Sequence, residues 1–199
     1  MKMKNKTIFL ILSLLLTCSI TTVYGQEEAV LYQLDGKPLN GKIQRYNDYD
    51  IKVEDVTYQE GMRTGIRKTY YRNGVLFSEG KYVLGKLEGE YKTYYENGKT
   101  KGIYAYQEGL KEGISKFYDD DGKIEYETLF RNDKKELHHR FYDNGKIKYT
   151  TTYVESIINQ EDKFTTRGKL DQRSYYKNGK VIKIDYYENG KFSHGLNFD

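Results

Sequence analysis

The chain has 199 residues, with 33 Lys and Arg against 29 Asp and Glu, and it lacks the concentrated basic surface of a nucleic-acid protein. Its 22 Tyr and 19 Gly, with no Trp and one Pro, exclude both disorder and a helical bundle. One Cys excludes a disulfide framework.

The first element is a leader. Lys2, Lys4 and Lys6 precede an apolar core from Ile8 to Leu16, and Val23 and Gly25 stand at the −3 and −1 positions of a cleavage site before Gln26. That order is the pattern of a secretory signal peptide spanning 1–25, and its apolar run is shorter than the roughly 20 residues of a membrane span. Cys18, in "LLTC", offers the alternative of a lipid anchor, but Leu16 and Thr17 are poor matches for the small residues that precede a lipidated cysteine. The sequence therefore predicts an exported protein, periplasmic or extracellular, with a lipid-anchored envelope protein as the alternative. Cleavage removes three lysines and leaves 30 basic against 29 acidic side chains and no cysteine. The mature sheet must then be held by packing and hydrogen bonds alone.

From about Leu31 to Gly195 the chain repeats itself. Asn73-Gly74, Asn97-Gly98, Asp121-Gly122, Asn144-Gly145 and Asn178-Gly179 mark turns, with glycine intervals of 24, 24, 23 and 34 residues. An aromatic follows each glycine by eight positions: Tyr82, Tyr106, Phe130, Tyr153 and Tyr187. A second mark falls three residues later at Gly85, Gly109 and Gly190, with Asp133 and Ser156 in its place in the weaker copies. Asn-Gly and Asp-Gly favour type I′ turns, so Gly74, Gly98, Gly122, Gly145 and Gly179 are predicted to set strand register. The strands between them alternate: Ile124, Tyr126, Thr128 and Phe130 are expected on one face, Glu125 and Glu127 on the other. The stretch 156–174 lengthens one repeat by about ten residues and reads as an insertion, expected as a surface loop.

The fold class is all-β, a repetitive meander of antiparallel hairpins forming one elongated, twisted sheet of six to seven repeats over 26–199. At 4.8 Å per strand it would extend about 60 Å. Such a layer leaves a face to cover, and the tyrosines repeated on one face, Tyr82, Tyr104, Tyr106, Tyr126, Tyr149 and Tyr153, are the candidate partner-binding residues. The same rings would also serve as the core of a curled sheet.

No catalytic set, cofactor site or metal site is predicted. His138 and His139 are adjacent on a strand and should face opposite ways, a poor geometry for joint ligation. Asp119-Asp120-Asp121 precedes Gly122 at a turn, where turn chemistry accounts for it. "GKLEG" and "GLKEG" lack the Gly-Lys-Ser/Thr ending of a phosphate loop.

The phrases "YYENGK" and "YQEGLKEG" resemble the variant MORN repeat of bacterial proteins of the YwqK type, often classed as antitoxin components. The resemblance covers roughly Leu31 to Gly195 and implies hairpins joined into a long antiparallel sheet. Two roles come with it: an antitoxin or immunity protein that neutralises a toxin partner by direct binding, and binding of lipid headgroups at a membrane surface. A secretory signal fits a cytosolic antitoxin badly, and a mature charge near +1 attracts little anionic lipid. The function expected first is a non-catalytic binding or scaffold module of the envelope with a protein partner.

Overall fold

The computed structural model describes residues 18–19, 31–34 and 36–198, the first two stretches by their backbone alone. The remainder of the predicted leader 1–25 lies outside the described residues, and so does the Cys18 side chain.

Three short strands, β1 (Cys18–Ser19), β2 (Leu31–Leu34) and β3 (Lys37–Pro38), form a small sheet. Everything after it is one antiparallel sheet of 15 strands. Its first half holds β4 (Gly41–Tyr46), β5 (Lys52–Gln59), β6 (Met62–Tyr70), β7 (Leu76–Val83), β8 (Lys86–Tyr94) and β9 (Thr100–Gln107). The short β10 (Leu110–Lys111) pairs with β9 beside the main path. Then come β11 (Gly113–Tyr118), β12 (Ile124–Arg131), β13 (Lys134–Phe141) and β14 (Ile147–Val154). The last four are β15 (Ile157–Phe164), β16 (Leu170–Lys177), β17 (Lys180–Glu188) and β18 (Lys191–Asn197). Strand order follows chain order from β4 to β18, and the sheet does not close.

Two turn classes alternate along the chain, and their assignment corrects the sequence reading. Of the five predicted pairs, Asn73-Gly74, Asn97-Gly98, Asp121-Gly122 and Asn144-Gly145 do not form type I′ turns. They sit in longer loops in which Tyr71 N donates to Val75 O at 2.8 Å and Tyr95 N to Lys99 O at 2.9 Å. Within these loops Asn97 Oδ1 accepts from Lys99 N at 3.0 Å, and of the pair only Gly98 takes a positive φ, 81°. The side-chain bond satisfies the backbone in place of a second left-handed residue. Type I′ turns occur instead at the second mark. Leu84 and Gly85 take φ of 48° and 82°, and Asn132 and Asp133 take 49° and 63°.

The predicted insertion is also corrected. Residues 157–164 are β15, paired with β14 and β16 in register, and Thr165 N donates to Lys169 O across another longer loop at 2.8 Å. Gly168 is the missing turn glycine, with φ 84°. Asn178-Gly179 belongs to the type I′ class, with φ of 51° and 76°. In "TTRGK" Arg167 stands where the other copies have asparagine or aspartate, so the turn lacks the Asn-Gly or Asp-Gly mark and two repeats read as a single longer one.

Consecutive repeats are stitched at both ends of the strands. On one side Tyr71 Oη donates to Tyr94 O, Tyr95 Oη to Tyr118 O and Tyr142 Oη to Phe164 O, each at 2.7 Å. On the other, Gly85 N donates to Arg63 O and Gly109 N to Leu87 O, both at 2.9 Å. The bonds matter because the buried apolar core among the described residues is small: Val56, Tyr58, Tyr82 and Phe130. Glu54, 2 % exposed, lies between Arg45 and Arg67, whose Nε is 2.5 Å away.

Candidate tyrosine-lined face

The cross-strand register places the predicted tyrosines in rows. Thr93 faces Gly102, Gly102 faces Phe117, Phe117 faces Tyr126, Tyr126 faces Arg140, and Arg140 faces Tyr149. A neighbouring row runs from Gly80 through Tyr91 to Tyr104. A bulge interrupts the alternation: Tyr118 pairs with Ile124 while Phe117 pairs with Tyr126, so Glu125 is an extra residue. The alternation expected from Ile124 onward therefore begins at Tyr126.

The rings meet in two groups. Tyr91 lies 6.1 Å from Tyr104 and 6.2 Å from Tyr106, centroid to centroid. Phe117 stacks on Tyr126 at 4.8 Å, and Tyr126 approaches His138 at 5.3 Å. Tyr82 is buried, with the Arg63 guanidinium 5.6 Å from its ring. Tyr104, Tyr106, Tyr126, Tyr149 and Tyr153 are half-buried. Lysines reach over several rings: Lys111 over Tyr104 and Phe130 at 5.6 and 4.9 Å, Lys135 over Tyr153 at 5.9 Å.

Two glycines give the face its relief. A Cβ on Gly102 would lie 2.7 Å from Tyr104 Oη, and one on Gly80 would lie 2.6 Å from Tyr91 Cδ2. Each ring thus lies down over a glycine, covering the backbone with one side while part of its surface stays in water. The sequence marked Tyr104 but missed Tyr91, Phe117 and His138, which sit on the strands between the marked ones. A signal existed in the pairing of each β7-type strand with the strand after it.

Burial raises the pKa of the Tyr106, Tyr126 and Tyr153 hydroxyls, keeping them hydrogen-bond donors. His138 is lowered, first by burial and then by Lys135, Arg140 and His139, which favours neutral imidazole. Its Nδ1 lies 2.8 Å from Thr128 Oγ1, while His139 Nδ1 lies 2.9 Å from Thr150 Oγ1. Each histidine is thus paired with a threonine of a different strand.

The opposite face carries a ladder of charge. Asp55, Lys68, Glu79 and Lys92 are successive cross-strand partners, as are Asp162, Arg173 and Asp185. Arg173 Nε and Nη2 bond the two Asp162 oxygens at 2.7 and 2.6 Å, raising the guanidinium pKa despite burial. Tyr94 Oη donates to Glu79 at 2.7 Å, and burial followed by that bond pushes its pKa up to about 12. Alternating sign along the row ties neighbouring strands into one register.

Comparison with known proteins identifies the repeat. The profile described as "MORN repeat variant" matches residues 63–83, 87–108, 111–132, 140–155 and 169–189, about half of the chain. No curated protein matches it. Among solved structures, the chain is similar to a mutant of S. aureus TarM in complex with Fondaparinux, alpha-GlcNAc-glycerol and UDP, at TM-score 0.38 and 14% identity over 47% of this chain and 19% of that one. The crystal structure of TarM gives TM-score 0.38 and 16% identity over 48% and 19%. The Glycosylation Associate Protein (Gap123) complex from Streptococcus agalactiae gives TM-score 0.38 and 17% identity over 50% and 19%. The chain spans about a fifth of the length of these structures.

Proposed function

The chain belongs to the MORN repeat variant family, and from that premise we propose that it is a non-catalytic binding or scaffold module of the bacterial envelope, holding a protein partner on its tyrosine-lined face. The observation that carries this reading is the seating of Tyr91 and Tyr104 over Gly80 and Gly102 on an unclosed sheet. Rings fixed from below have already lost much of their rotamer freedom, so a partner that covers them orders little more. Their hydroxyls add directional contacts to a large apolar area. Export rests on the leader pattern of 1–25.

The test is capture of envelope proteins by the mature chain and by its Tyr126→Ala variant, with thermal melting of both. A binding role predicts at least a ten-fold loss of the captured partner, with a melting temperature within a few degrees of the parent. A large loss of stability with unchanged capture by the folded fraction would make Tyr126 a core residue and sink the assignment. Capture of a toxin instead of an envelope protein would move the reading to an antitoxin or immunity protein.

A further inference from the structure

The C-terminal edge of the sheet is separate from the tyrosine face. There we propose that β18 takes up an antiparallel strand of a partner protein, one that carries a lysine or arginine opposite Gly195.

Along the charged face, the buried carboxylates of Asp55 and Asp162 have donors on both oxygens. Asp55 Oδ1 accepts from Gln44 Nε2 at 2.7 Å, and its Oδ2 accepts from Tyr70 Oη and Lys52 Nζ at 2.8 and 2.9 Å. Asp162 is held at both oxygens by Arg173. Asp185 is different. It is 4 % exposed, its Oδ2 is bound by Lys183 Nζ at 3.0 Å, and its Oδ1 is buried without a hydrogen-bond partner. An unmatched buried carboxylate oxygen is costly.

The orphan oxygen leans toward the edge. Gly195 is the cross-strand partner of Asp185, and a Cβ on it would lie 2.6 Å from Oδ1. Only a glycine separates that oxygen from whatever lies beyond β18. Equivalent strands in the interior show what takes that place. The strand after Glu79 contributes Lys92, and the strand after Ile103 contributes Lys116. The strands after Thr150 and Arg173 contribute Asp162 and Asp185 instead, but where the row holds a carboxylate, at Asp55 and Glu79, the next strand supplies a cation, Lys68 and Lys92.

The backbone of β18 is suited to receive it. Phe198 N donates to Ile182 O at 2.9 Å, so by the alternation of an antiparallel ladder the peptide groups of Gly195 and Asn197 face away from β17. The strand has no proline, and Phe192, Leu196 and Phe198 are 61, 47 and 45 % exposed. Such an edge lacks the usual protection against strand addition, and strand addition combines main-chain hydrogen bonds with side-chain selection.

The test uses the full chain and two synthetic peptides in a fluorescence-polarisation titration. One has the sequence of Lys86–Tyr94, in which Lys92 would fall opposite Gly195; the other carries Lys92→Glu. The first peptide should bind at least ten-fold more tightly than the second. Asp185→Asn should reduce that preference to less than two-fold. Asn197→Pro, which removes an outward N–H and leaves the Phe198 bond in place, should abolish binding of both while thermal melting shows the sheet intact. Absence of binding, equal binding of the two peptides, or unchanged binding by either variant would overturn the proposal. So would sedimentation showing that a second copy of the chain already occupies this edge.

Discussion

The hexapeptide Tyr-Tyr-Glu-Asn-Gly-Lys occurs twice, at 94–99 and at 186–191, and folds differently in the two places. In the first copy the strands separate after Tyr94 pairs with Thr100, and Asn97 is not left-handed. In the second they stay paired to Glu188 and Lys191, and Asn189 and Gly190 take φ of 53° and 83° in a two-residue turn. The local preference of Asn-Gly is the second form. What overrides it in the first copy is the next repeat. Tyr95 Oη donates to Tyr118 O at 2.7 Å, Lys99 Nζ to Asp120 O at 2.8 Å and Asn97 Nδ2 to Asp120 O at 3.4 Å. Tyr187 occupies the place of Tyr95, and among the described residues no repeat follows it. Its ring instead meets Phe192 edge-on at 6.1 Å. The neighbour thus selects the turn.

Substitution at the two glycines would break this comparison most sharply. Gly98 and Gly190 have nearly equal φ, 81° and 83°, so valine strains both backbones alike. Gly98→Val should cost about 2 kcal/mol of global stability in urea unfolding, because the loop is bonded into the next repeat. Gly190→Val should leave the global midpoint almost unchanged and release β18 locally, read as faster exchange of the Phe198 amide. Equal global losses would show that the terminal hairpin is as integral as the internal one.

Acid titration sharpens the contrast between the fully bonded Asp55 and the half-bonded Asp185. Burial alone would raise the Asp55 pKa, but hydrogen bonds from Lys52, Tyr70 and Gln44 outweigh it and lower the value to about 2. A depressed carboxylate stabilises the fold above its unfolded pKa, and that stabilisation is lost as pH falls through the folded value. Between pH 4 and pH 2 the chain should therefore lose about 2 kcal/mol that Asp55→Asn has already lost. Parallel stability curves for the two proteins over that range would contradict the network around Asp55.

The smallest effect isolates the stitch itself. Tyr95→Phe removes one hydroxyl and should cost about 1 kcal/mol, since Tyr118 O loses its donor. Tyr187→Phe, at the equivalent position of the terminal copy, should be neutral in the same denaturation assay. A loss at Tyr187 equal to that at Tyr95 would mean that the inter-repeat bond is not what distinguishes the two copies.

By itself the sequence determined the all-β hairpin architecture, because strand alternation and left-handed glycines are local properties that recur every 23 or 24 residues. It also marked Tyr104, Tyr106, Tyr126, Tyr149 and Tyr153 as one recurring set. Turn type was not legible, since the same six residues satisfy either geometry until a following repeat offers Tyr118 O and Asp120 O. Nor was the turn at Gly168, where "TTRG" keeps the glycine and loses the asparagine. Tyr91 and Phe117 joined the tyrosine face only through pairing with neighbouring strands, and Asp185 became an orphan only because Gly195 is its cross-strand partner. These features depend on which strand lies beside which. Single-strand periodicity carries no information about that neighbour, and only the tertiary structure decided it.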